Sequence, residues 1–294
     1  MKLPLMIVAG VTLFLAGCSE PPAGEAVTKI RFDGKQVDEP LSTPSATAAP
    51  TGPSACKAVE FEGAALTHCI ADPSQHTIAM ANLGADKQPF GSLGALAASM
   101  DPETVAFAVN GGMYGDDLKP IGYFVQNGER LHELNRANGD GNFYMKPNGV
   151  FFGSASKWQV LGSNTFFNTI GDRPQFGTQS GPLILIDGKL HPEIQDDGPS
   201  KAIRNGVGVD AKGLAHFVIS DVPVSFGQLA RYFRDVVKVG NALYLDGQVS
   251  SLWDPARGRI DKGRVGPIIV VSKRAAASAT PATAPSPATK AEAP

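Results

Sequence analysis

Apolar residues come in short blocks along the middle of the chain, each block bounded by turn residues. Thr104 to Val109, Ile121 to Val125, Leu183 to Ile186, Phe217 to Ile219 and Ala242 to Leu245 have the length and composition of buried strands. Asn127-Gly128 and Asp187-Gly188 have tight-hairpin chemistry, and Asp210-Ala211-Lys212-Gly213 is placed to join two further antiparallel strands. Two segments read as helices. In the first, Phe226, Leu229, Phe233 and Val236 or Val237 mark one apolar face, Ser225 and Gln228 have capping-box spacing, and Gly240 after Lys238 is a stop signal. The second runs from about Ser92 to Ser99 and ends before Asp101-Pro102. No internal repeat is visible. The pattern predicts an α+β fold: a mixed, largely antiparallel sheet meander with a few packed helices, forming a single domain.

The two ends of the chain break this pattern. After Lys2 the chain is apolar from Leu3 to Leu15, too short to span a bilayer comfortably, and it closes in small residues before Cys18. Residues 1–17 therefore read as a signal peptide. The sequence Leu15-Ala16-Gly17-Cys18 resembles the lipobox of bacterial lipoproteins, which implies lipidation of Cys18 and anchoring in a membrane. Ser19 after the cysteine, by the same resemblance, implies the outer membrane facing the periplasm. Residues 18–55 are rich in Pro, Ala, Thr and Ser and read as a tether; residues 275–294 share that character and read as a disordered tail. The globular domain is assigned to 56–274, and its roughly 215 residues are ample for one core.

Charge excludes one class of partner. Lys and Arg number 26 against 28 Asp and Glu, a net charge of −2, with no basic run, so nucleic acid is not a partner. Cysteine usage fits export: beyond Cys18 only Cys56 and Cys69 remain, close together, and a bridge between them is expected in an oxidising compartment. Neither lies in a Cys-x-x-Cys, and the five histidines show no metal-ligand spacing.

Candidate chemistry gathers where apolar runs end in small and polar residues. Val105 to Val109 runs into Asn110-Gly111-Gly112-Met113-Tyr114, where two glycines allow close backbone approach and amide donors toward an anion. An ordinary strand-ending turn would look the same. Ala242 to Leu245 ends in Asp246-Gly247-Gln248-Val249-Ser250-Ser251, and an Arg/Gly-rich loop follows in place of a hairpin strand. Gln179-Ser180-Gly181-Pro182, Arg204-Asn205-Gly206 and Asp221 complete five such places.

In this order the five resemble the phosphodiester glycosidase family, whose pattern reads Asn-Gly-Gly, Gly-Pro before a strand, Arg starting a strand, Asp before a helix, and Leu-Asp-Gly-x-x-Ser-Ser. Met113 ahead of Tyr114 and Gln248-Val249 depart from the commoner family residues. Both departures, with the segment Gly141-Asn142-Phe143-Tyr144-Met145-Lys146-Pro147-Asn148-Gly149-Val150-Phe151, resemble a bacterial branch. The resemblance implies hydrolysis of the bond between a sugar's anomeric carbon and a phosphodiester oxygen in a glycan or glycoconjugate.

The resemblance also implies roles. A phosphate leaves readily, so stabilising its charge matters more than protonating it. Arg204 is expected to bind that phosphate, with a structural ion pair as its alternative. The Gly111 and Gly112 amides and the Ser250 and Ser251 hydroxyls are expected to help. Asp246 is the first candidate for the carboxylate that activates water or steadies the oxocarbenium ion; Asp221 is the second, unless it caps the nearby helix. Asn110, Tyr114, Ser180, Gly181, Gly247, Asn142, Lys146 and Asn148 are the remaining substrate-binding candidates. No cofactor is implied, and a divalent cation is left open with no ligands assigned.

Other patterns carry less. Asn138-Gly139-Asp140-Gly141-Asn142 opens like a calcium loop, but Phe143 stands where glycine is needed and Gly149 where the closing glutamate belongs. Ser180 lacks the Gly-x-Ser-x-Gly elbow of serine hydrolases. The rival reading is a noncatalytic glycan-binding envelope lipoprotein of the same fold, kept open by Gln248-Val249.

Overall fold

A computed structural model describes residues 45–46 and 53–274. The expected signal peptide, the lipidation site Cys18, most of the tether and the C-terminal tail lie outside the described residues. Among the described residues no helix is long and apolar enough to cross a membrane.

Three sheets make the domain, and every strand pair in them is antiparallel. One is six-stranded and centres on Val105–Asn110, flanked by Leu252–Asp254 and Ile268–Lys273. At its edge the two-residue strand Ser45–Ala46, within the stretch read as tether, pairs with Arg259–Ile260. A seven-stranded sheet runs Lys189–Leu190, Leu183–Ile186, Ala242–Tyr244, Asn205–Val209, Ala215–Ser220, Ala64–Ala71 and Cys56–Phe61. The third, five-stranded, holds Phe124–Gln126, Phe176–Ser180 and Gly149–Ser154. Phe107, Phe151, Trp158, Val207, Phe217, Leu243 and Ile269 belong to one buried cluster that draws on all three sheets. Burial of large side chains of this kind contributes about 1.5–3 kcal/mol each.

The turn chemistry acts as read. Asn127 and Gly128 have φ of 55° and 76°, and Asp187 and Gly188 have 48° and 77°, the left-handed pair a two-residue hairpin needs. Asp210 Oδ1 accepts from the amides of Lys212 and Leu214 at 2.9 Å each, closing the hairpin between Asn205–Val209 and Ala215–Ser220. Cys56 and Cys69 are register partners in the first hairpin and are bridged, as expected from their proximity.

Three expectations are corrected. The run from Ile121 forms a strand only from Phe124, because the Gln179 side chain takes the Tyr123 amide at 2.9 Å in place of a neighbouring strand. The helix after Ser225 is α-helical over Phe226–Arg231 and then widens into a π-turn over Tyr232–Val237. The wider turn rotates the apolar face by one position, so Val237 is buried while Val236 is half exposed. That helix stops at Lys238 in the left-handed conformation, φ 65°, two residues before Gly240. The helix Ser163–Thr169 was not legible: Phe166 is its only fully buried large apolar residue.

Candidate active site

The ends of the central strands meet at Asn110. This residue closes Val105–Asn110 and is 1% exposed. Its Nδ2 donates to the Asp246 carbonyl at 2.7 Å, and its Oδ1 accepts from Asn205 Nδ2 and from the Ser251 amide, each at 2.9 Å. Asn205 Oδ1 accepts in turn from Ser250 Oγ at 3.2 Å. One buried carboxamide thereby joins three segments far apart in sequence. A buried carboxamide with its polar atoms satisfied holds a unique geometry.

Asp246 lies at the centre of this junction. It is 3% exposed, and its amide donates to the Gly111 carbonyl at 3.2 Å. Tyr114 and Tyr244 flank it. Both phenols are pushed up from their ordinary value, by burial first and by the Asp246 charge in addition, which puts the carboxylate within electrostatic reach of both rings. Asn110 and Asp246, far apart in sequence, thus meet.

Arg204 reaches the same junction differently from expectation. It is wholly buried, and its guanidinium stacks 3.6 Å from the Phe226 ring centroid. Nε donates to Val224 O at 2.9 Å; Nη1 donates to the Tyr244 hydroxyl, and Nη2 to Ser200 O and Oγ, each at 3.1 Å. Nε, Nη1 and Nη2 each donate inside the protein, so the guanidinium is built into the scaffold of the junction. Its chain of action is short: the Tyr244 hydroxyl it holds packs closely on Gly247, next to Asp246. Gly247 is required there, since a Cβ would fall 1.6 Å from the Tyr244 oxygen.

The other expected anion donors are engaged too. The Gly111 amide donates to Pro267 O at 2.7 Å and the Gly112 amide to Thr178 Oγ1 at 3.1 Å. These glycines serve close packing, as a Cβ on Gly112 would sit 2.0 Å from Gln179 O. Ser250 Oγ has the Ile203 and Gly247 carbonyls as well as Asn205 at 3.2 Å, and Ser251 Oγ donates to Val249 O at 2.7 Å. Both hydroxyls shape the turn after Asp246. Tyr114 donates its hydroxyl to Arg264 O at 2.6 Å, and Lys146 Nζ donates to Arg136 O at 3.1 Å.

Asp221, the second carboxylate candidate, belongs to an ion-pair network. Its two oxygens accept from Arg259 Nη1 and from Thr67 Oγ1, each at 2.8 Å, and Arg259 also binds both oxygens of Asp261. It does not cap the helix; Ser225 does, accepting from the Gln228 amide at 3.0 Å.

A different group of candidates carries unmet hydrogen-bonding capacity. A Cβ on Gly181 would lie 2.8 Å from Asn148 Cβ and 3.0 Å from Asn142 O, so Asn142, Asn148, Ser180 and Gly181 are packed together. The three polar side chains are at most 1% exposed, yet Asn142 Nδ2, Asn148 Oδ1 and Ser180 Oγ have no protein partner. Buried polar atoms are normally paired, so a donor, an acceptor and a hydroxyl left over in one place are unusual. The neighbours of that place connect to the strand before Asp246 and to the turn after Asn110. Pro182 O accepts from the Tyr244 amide at 3.0 Å, and Gly112 packs on Gln179.

Sequence reasoning missed Asn205, Tyr244, Arg259 and Arg264. Asn205 and Tyr244 stood inside recognised motifs, and nothing local marks a side chain whose partners are 95 and 40 residues away. Among the described residues no group of three or more His, Cys, Asp or Glu is spaced to hold a metal ion.

The phosphodiester glycosidase family profile matches residues 103–271, which include Asn110, Arg204, Asp221 and Asp246. The chain is 33% identical to the uncharacterized protein YigE of Escherichia coli strain K12 over 183 residues, covering 62% of this chain and 71% of that one. Among solved structures it is similar to the zebrafish N-acetylglucosamine-1-phosphodiester alpha-N-acetylglucosaminidase catalytic domain auto-inhibited by its pro-peptide. That likeness has a TM-score of 0.52 at 12% identity, over 80% of this chain and 89% of the zebrafish one. A hypothetical protein from Synechocystis matches with a TM-score of 0.44 at 16% identity, over 74% of this chain and 61% of that chain.

Proposed function

Starting from the fact that this chain belongs to the phosphodiester glycosidase family, we propose that it hydrolyses the bond between a sugar's anomeric carbon and a phosphodiester oxygen in an envelope glycan or glycoconjugate. We further propose that it works from the outer membrane, facing the periplasm, held by lipid on Cys18 and reaching its substrate on the 18–55 tether.

The observation that carries this reading is the junction itself. Asp246 is almost fully buried and held by Asn110 and Gly111 through its backbone, and the same domain keeps buried polar atoms without a protein partner on Asn142, Asn148 and Ser180. Such an arrangement suits a sugar that presents hydroxyls or amides to the polar atoms and its anomeric carbon to the carboxylate. In the reaction, a water oxygen bonds to the anomeric carbon and its proton passes to Asp246. The electron pair of the broken carbon–oxygen bond leaves on the phosphate, giving a free sugar and a phosphomonoester. Asp246 also balances positive charge on the ring as that bond lengthens.

The test is turnover of a panel of sugar-1-phosphodiesters by the purified chain, with and without chelator. Release of a free reducing sugar supports hydrolysis. Saturable binding with no release on any member would replace this reading with the glycan-binding one.

A further inference from the structure

The charge expected to meet the phosphate is not supplied by the residues first assigned to it: the Arg204 guanidinium is buried and engaged, and so are the Gly111, Gly112, Ser250 and Ser251 donors. A departing phosphate in a site built on a carboxylate still needs a cation. The segment Asp261-Lys262-Gly263-Arg264 lies across the junction and carries two.

Both ends of this strap are tied to site elements. At one end the Asp261 amide donates to Leu252 O at 3.0 Å, Asp261 Oδ2 accepts from the Leu252 amide at 3.0 Å, and Arg259 grips the same carboxylate. At the other, Arg264 O accepts the Tyr114 hydroxyl at 2.6 Å, and the Val265 amide donates to Gly91 O at 3.0 Å. In between, a Cβ on Gly263 would stand 3.5 Å from Ser251 Oγ, so the strap passes directly over the turn that follows Asp246.

Lys262 and Arg264 are exposed, and neither has a carboxylate partner among the described residues. The Arg264 guanidinium makes one hydrogen bond, from Nη2 to the Asp116 backbone carbonyl at 2.7 Å. The remaining N–H groups of its fork are therefore open to a ligand, the opposite of the situation at Arg204. Tyr114 links the two charges: its phenol is acted on by Asp246 in one direction and by Arg264 in the other.

We propose that the Lys262–Arg264 strap is the anion subsite of this active site, with Arg264 binding the phosphate of a phosphodiester substrate bidentately and Lys262 adding charge. The inference rests on the phosphodiester reading above and assigns its phosphate contact. Guanidinium suits it because two parallel N–H groups match two phosphate oxygens, which an ammonium cannot reproduce.

The experiment compares the full chain with Arg264→Ala, Arg264→Lys and the surface control Arg234→Ala, whose guanidinium pairs with Asp235. Binding of inorganic phosphate is measured by calorimetry, kcat and KM on a sugar-1-phosphodiester by kinetics, and folding by thermal unfolding. Arg264→Ala should weaken phosphate binding and lower kcat/KM by about 10- to 100-fold, the scale of lost charge-assisted hydrogen bonds, with the melting temperature unchanged. Arg264→Lys should recover part of both, and Arg234→Ala should match the parent. Phosphate binding that is absent in the parent, or unchanged in Arg264→Ala, overturns the anion subsite. Arg264-dependent phosphate binding without turnover of any phosphodiester upholds the subsite and removes the hydrolase reading.

Discussion

Asn110 Nδ2 donates to the backbone carbonyl of Asp246 across 2.7 Å, joining two residues that lie 136 positions apart. The carboxylate candidate is thus held by its main chain, through a side chain that also fastens Asn205 and Ser251. Asn110→Ala should leave two buried donors and one buried carbonyl unpaired and cost about 2–3 kcal/mol of stability. Asn110→Asp should be as harmful, because it replaces the donor to Asp246 O with an acceptor. Urea unfolding checks both; a loss under 0.5 kcal/mol, about the size of a neutral surface change, would mean the junction is not held this way.

The Asp246 side chain is a separate matter from its backbone. Asp246→Asn keeps the size and the main-chain bonds, so the fold should persist while turnover falls by about 10²-fold or more. Kinetics beside thermal unfolding provide the measurement. Near-normal turnover in that variant would remove Asp246 from the chemistry.

Arg204 should respond as a buried scaffold group. Arg204→Lys loses the fork that reaches Val224, Tyr244 and Ser200 together, and it should cost on the order of 2–3 kcal/mol. Tyr244→Phe removes the acceptor of Arg204 Nη1 along with the contact on Gly247, and it should cost less stability than Arg204→Lys while lowering kcat. A phosphate-binding defect in Arg204→Lys with unchanged stability would contradict the scaffold role.

The Cys56–Cys69 bridge closes a separation of 13 residues. In the chain-entropy account it contributes about 3 kcal/mol. Cys56→Ser should therefore lower the unfolding midpoint, and reductant should do the same to the parent but not to the variant.

Acid should loosen the fold before carboxylates protonate. His68 is lowered from 6.5 to about 4, by burial first and then by the neighbouring His216 and Lys57 charges. Its ring is buried against Tyr232 Oη and His216 Nδ1, each at 2.9 Å, while His216 Nε2 lies 3.3 Å from Asp210 Oδ2, an ion-pair distance without hydrogen-bond geometry. His216, His76 and His191 are lowered too, in each case by burial first. A lowered histidine binds its proton in the unfolded chain before the folded one, so its contribution is complete above pH 6.5 and declines as the pH falls from 6.5 to about 4. For His68 the full span is of the order of 3 kcal/mol. Unfolding free energy measured across this range should slope less in His68→Gln than in the parent; equal slopes would discount His68.

Much of this protein is local and therefore legible along the chain. Hairpins at Asn127-Gly128, Asp187-Gly188 and Asp210–Gly213, the Ser225 cap and the Cys56–Cys69 pair each depend on residues no more than 13 positions apart, whose backbone preferences or chemistry act wherever the chain is placed. The order of strand-end motifs likewise marked Asn110, Ser180 and Asp246 as candidates, and the segment from Gly141 to Phe151 marked Asn142 and Asn148. What each donor does was decided only in three dimensions. Arg204, Gly111, Gly112, Ser250 and Ser251 have the chemistry of phosphate ligands, but packing turned their N–H and O–H groups onto Val224, Pro267, Thr178, Gly247 and Val249. Arg264, unremarkable in an Arg/Gly-rich loop, was left with an open fork beside Tyr114. A residue type fixes which bonds a side chain is able to make, while burial and the nearest acceptor decide which of them remain for a ligand.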